Sequence, residues 1–65
     1  MKITVNGLER EVPEGATVAD LVREMASSAA AAAEVNRRLV PKRDHGARRL
    51  EEGDRVEIVT LVGGG

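Results

Sequence analysis

Few side chains in this 65-residue chain can do covalent chemistry, because it contains no cysteine and a single histidine, His45. Without cysteine there is no thiol nucleophile, thiolate metal centre, disulfide or side-chain persulfide. His45, in Lys42-Arg43-Asp44-His45-Gly46, has no second ligand nearby, so it makes neither a metal site nor a triad and reads as a surface-loop residue. Thr17 reads as a helix cap and Asp54 as a turn residue, so no catalytic side chain is expected. What remains is Gly63-Gly64-Gly65 and the carboxylate of Gly65. A terminal carboxyl group has a pKa of about 3.3–3.7, so near neutral pH it is an anion and a poor acyl donor until another agent activates it. Lacking Cβ atoms, Gly64 and Gly65 can thread a channel too narrow for side chains and leave the acyl carbon open to attack. Three extended residues reach roughly 10 Å, enough to enter another protein's active site while the folded body stays outside. Taken alone, terminal glycines equally describe a frayed end.

The elements that would carry this tail can be read from patterning. Met1, Ile3 and Val5 alternate with Lys2 and Thr4, the period of a half-buried strand. Asn6-Gly7 follows, which suits a type I′ turn and predicts a hairpin partner over residues 8–12. After Pro13-Glu14-Gly15, Thr17 and Asp20 mark a helix start. Val18, Leu21, Val22 and Met25 then fall on one helical face. The stretch from Ser27 to Glu34 favours helix locally through its five alanines. Yet Val35, Leu39 and Val40 around Asn36-Arg37-Arg38 look like short strands at a turn, so a strand is placed at about residues 32–36. Residues 42–49 suit an irregular connection or a 3₁₀ turn, and Leu50 drops into the core. Glu51-Glu52-Gly53-Asp54 signals a turn before a last strand over residues 55–62. Hairpin, helix, short strands and final strand give an α+β fold, a mixed sheet with one main helix on one face. If the first and last strands are parallel, the helix supplies the crossover, which is the β-grasp layout.

Composition removes several function classes. Ten Lys and Arg against eleven Asp and Glu, with no aromatic residue to stack on bases, argue against nucleic acid. The basic residues Arg37, Arg38, Lys42, Arg43, Arg48 and Arg49 do cluster, in what reads as a solvated loop region. No apolar run approaches the roughly 20 residues of a membrane span, and no signal peptide is recognised, so a cytoplasmic protein without membrane attachment is expected. With no Phe, Tyr or Trp, the core must be built from aliphatic side chains and stability should be modest.

Along nearly its whole length the chain resembles the sulfur carrier proteins of thiamine biosynthesis, relatives of ubiquitin. The likeness is carried by Val5-Asn6-Gly7, Gly15-Ala16-Thr17-Val18-Ala19-Asp20-Leu21, Val35-Asn36, Val40-Pro41, Gly53-Asp54-Arg55-Val56-Glu57-Ile58-Val59 and the final Gly64-Gly65. The resemblance implies a ubiquitin-like β-grasp domain over residues 1–62 with a flexible glycine tail, Gly63, Gly64 and Gly65. It also implies that an ATP-dependent, E1-like adenylating enzyme joins AMP to Gly65. A sulfur donor, such as a cysteine desulfurase or a rhodanese-like protein, then leaves a thiocarboxylate for thiazole synthase. No bound cofactor or metal is implied, only the acyl-adenylate or thiocarboxylate at Gly65. The carrier would serve as co-substrate rather than enzyme. Two departures stand out: Arg37 replaces a usual glycine, so that turn could differ in type, and the alanine run replaces larger residues.

If Val56 and Ile58 face the helix, strand alternation puts Val59 and Leu61 on the opposite face, as a partner-binding patch beside the tail or as ordinary half-exposed apolar residues. The same tail could serve molybdopterin synthesis or tRNA thiolation, although the short chain and the Val59-Thr60-Leu61-Val62 approach favour thiamine. A ubiquitin-like protein modifier, or an interaction module with incidental glycines, completes the alternatives.

Overall fold

The computed structural model describes the backbone of residues 1–26 and 30–61 and, apart from Leu61, their side chains. Strands β1 (Lys2–Val5) and β2 (Leu8–Glu11) pair antiparallel from Lys2↔Glu11 to Val5↔Leu8. Asn6 and Gly7 join them with φ of 50° and 86°, the two positive values that a type I′ turn demands. Helix α1 (Val18–Ala26), β3 (Ala30–Val35), β4 (Arg38–Val40), a 3₁₀ turn (Lys42–Asp44) and β5 (Arg55–Leu61) follow. The sheet order is β2-β1-β5-β3-β4, with β5 central, parallel to β1 and antiparallel to β3. Helix α1 packs on one face against β3 and β5. Ile3, Val18 and Val56 are the largest fully buried side chains of the core, joined by Leu21, Ala33 and Val35.

The helix starts as the sequence indicates. The Thr17 hydroxyl accepts the Asp20 N–H at 3.3 Å while an Asp20 carboxylate oxygen accepts the Thr17 N–H at 2.9 Å, a reciprocal capping box. Two further helix N–H groups are satisfied from a distant loop: Val18 donates to the carbonyl of Arg48 at 3.0 Å and Ala19 to that of His45 at 2.9 Å. The far face of α1 is tied to β2 by an ion pair between Glu24 and Arg10.

Three sequence expectations need correction. His45 is not a surface residue: it is buried, and its Nε2–H donates to the Val40 carbonyl at 3.0 Å. The loop after the 3₁₀ turn folds back over the start of α1, so His45 links the end of β4, through its imidazole, to the helix entrance, through its backbone carbonyl. Met25, expected on the apolar face, is exposed, and Ala26 fills the buried position instead. The alanine strand is longer than expected, spanning Ala30–Val35, because its register with β5 runs from Ala30↔Leu61 to Val35↔Val56. Six paired residues along the central strand outweigh the small helix preference of alanine. Ala33 is fully buried beneath the helix, where a larger side chain would have no room.

The β3–β4 turn keeps two positive φ values despite lacking glycine: Asn36 has φ 53° and Arg37 φ 69°. For arginine that conformation costs on the order of 1 kcal/mol relative to glycine.

Candidate functional site

Strand β5 delivers the chain end. Its inward residues Val56 and Ile58 are buried against α1, which fixes the facing of every other residue along it. Val59, predicted to lie on the open face, is 57% exposed there. The backbone of Leu61, the other predicted patch residue, pairs with Ala30; its side chain lies outside the described residues, as do Gly63, Gly64 and Gly65.

The tertiary pairing adds two members that sequence reading missed. Ala32 stands directly opposite Val59 across the β3–β5 ladder. Leu39 of β4, 66% exposed, pairs with Glu34, which in turn pairs with Glu57. Val59, Ala32 and Leu39 therefore share one uncovered sheet face, bordered by Glu34 and Glu57. The signal for Leu39 was present, since its neighbour Val40 is a core residue and alternation turns Leu39 outward. What could not be read was that β4 lies beside β3, with Leu39 level with Glu57 in the first half of β5.

The rigidity of β5 rests on two asparagines. Asn6 Nδ2–H donates to the Ile58 carbonyl at 3.2 Å and its Oδ1 accepts the Ile58 N–H at 2.8 Å, so the side chain prolongs the β1–β5 ladder. Asn36 Oδ1 accepts the Arg55 N–H at 3.0 Å and its backbone N–H donates to the Arg55 carbonyl at 2.7 Å. Asn36 Nδ2–H also donates to Asp54, at 3.0 Å. Asp54 is more than a turn residue: buried, it also accepts the Glu51 N–H at 2.8 Å and sits 3.5 Å from the Arg48 guanidinium. Among the described residues no group of three or more His, Cys, Asp or Glu could hold a metal ion, and no helix is long and apolar enough to cross a membrane.

A mixed sheet with parallel first and last strands, one helix across one face and an apolar patch on the other defines a ubiquitin-like β-grasp protein. Residues 3–65 match the ThiS family, and the chain belongs to that family. The crystal structure of the thiamine biosynthesis protein ThiS from Geobacter metallireducens is similar over 100% of both chains, with a TM-score of 0.81 at 29% identity. A thiazole synthase of Paramagnetospirillum magneticum is 38% identical over 66 residues, covering 100% of this chain. The chain spans only 20% of that relative's length.

Proposed function

We propose that the chain carries sulfur as a thiocarboxylate on Gly65 for assembly of the thiazole ring of thiamine. The observation that carries this reading is the family match, which runs through Gly65, combined with a central strand that is ordered to Leu61. In the proposed cycle the Gly65 carboxylate oxygen attacks the α-phosphorus of ATP in an E1-like enzyme, releasing pyrophosphate and forming an acyl-adenylate. A persulfide on a desulfurase or rhodanese-like donor then adds to the acyl carbon as AMP leaves, and a thiol reductant cleaves the S–S bond of the resulting acyl disulfide, freeing the donor. The resulting thiocarboxylate delivers sulfur to thiazole synthase, a partner favoured by the likeness to a thiazole synthase.

The body's part in this cycle is docking. The open face of Val59, Ala32 and Leu39, joined by Leu61, is proposed to seat the adenylating enzyme while the glycines enter its active site. Ordering a glycine tail is entropically unfavourable, so most affinity must come from such a face. Intact mass tests the chemistry: incubation with the adenylating enzyme, ATP and a sulfide source is expected to add about 16 Da as one oxygen becomes sulfur. An unchanged mass, with the enzyme shown active on another carrier, excludes the reading. Delivery of that sulfur to thiazole synthase, rather than to a molybdopterin or tRNA acceptor, settles the branch.

A further inference from the structure

We propose that Arg37 and Arg55 form a binding site for the phosphate group of a small molecule, at the N-terminal end of β5 and about 20 Å along that strand from Leu61. The site is independent of the tail chemistry. Both arginines line two hollows: one of about 330 Å³ bounded with Asn36 and Gly53, and one of about 390 Å³ bounded with Thr4, Gly7 and Glu57. Their backbones are fixed relative to each other, because Asn36 bonds Arg55 through both its side-chain oxygen and its N–H and reaches Asp54 with its amide nitrogen.

Neither guanidinium is paired with a carboxylate among the described residues. The acidic neighbours are already engaged: Glu52 accepts the Lys2 N–H at 3.0 Å, and Asp54 is held by Asn36, Glu51 and Arg48. Glu57 lines the larger hollow, so the anion belongs in the smaller one, which has no acidic lining. Gly53 leaves open space there, with nothing within 4 Å of where a Cβ would stand. The backbone at Arg37 points the same way. Its φ of 69° would be unstrained for glycine, so arginine at this place contributes a side chain at the expense of local backbone energy. Two planar guanidinium forks lining one hollow, Arg37 from the β3–β4 turn and Arg55 from the start of β5, suit a tetrahedral dianion with three acceptor oxygens; a planar carboxylate satisfies one fork alone.

The test is an amide NMR titration of the full chain with inorganic phosphate, AMP and succinate in turn, at fixed ionic strength. Saturable shifts at Asn36, Arg37, Gly53 and Arg55 are expected with phosphate, and the same shifts with AMP. Arg37→Gly and Arg55→Gln should each weaken the apparent affinity by roughly tenfold or more, with Arg49→Gln without effect. Arg37→Gly should also raise the thermal midpoint, which keeps its binding defect distinct from misfolding. Shifts that fail to saturate, succinate binding as tightly as phosphate, or unchanged affinity in Arg37→Gly would each overturn the assignment; a lowered midpoint would remove the argument from strain.

Discussion

Asn6 and Asn36 occupy the same position in two different hairpins and do the same work for one strand. Each takes a positive φ at the first central residue of its turn, and each turns its amide onto the backbone of β5. Sequence reading assigned Asn6-Gly7 to a turn on backbone grounds and gave Asn36 no side-chain role, because the partner atoms lie 52 and 19 residues away. Asn36→Ala should lower stability by about 1–3 kcal/mol, since it strips partners from the Arg55 N–H and from buried Asp54; chemical denaturation measures it. Asp20 offers a pH test at the same scale. The backbone N–H of Thr17, with further help from the Thr17 hydroxyl and Arg23, holds its carboxyl below the usual carboxylate range. A depressed folded-state pKa means that this stabilisation is present above the unfolded value, about 3.9, and is lost as pH falls through the folded value. Denaturation midpoints of the wild type and Asp20→Asn should therefore differ at pH 7 and converge in strong acid.

At the scale of elements, β3 is the segment whose local preference and final state disagree. Five alanines would sit well in a helix, yet residues 30–35 form a strand because β5 offers a full ladder and α1 needs a flat surface beneath it. Ala33→Leu should destabilise by about 1–3 kcal/mol through overpacking, whereas the exposed Ala30→Val should be neutral or stabilising; thermal unfolding compares them. The open face predicts the opposite pattern. Val59→Asp and Leu39→Asp should leave stability within about 0.5 kcal/mol of the parent, as surface changes do, while weakening affinity for the adenylating enzyme in a calorimetric titration. The same loss is expected of Leu61→Asp. Equal affinity in all three variants would remove the docking role of this face.

For the whole molecule, body and tail should be separable. Deleting Gly64 and Gly65 is expected to leave the circular dichroism spectrum and melting midpoint unchanged and to abolish sulfur loading by mass, and a Gly65→Val variant should load poorly for steric reasons. What the sequence determined by itself was local or periodic: the Asn6-Gly7 hairpin, the Thr17–Asp20 cap, the alternation that turns Val56 and Ile58 inward and Val59 outward, and the family likeness with its terminal glycines. These depend on a few neighbouring residues, so composition and spacing encode them directly. Only the tertiary structure decided that His45 is buried, that the alanine strand reaches back to Ala30, that Leu39 and Ala32 join Val59, and that Arg37 and Arg55 share a hollow. Most of those facts depend on segments far apart in the chain, brought together where β5 meets β1 and β3, which no local preference can anticipate.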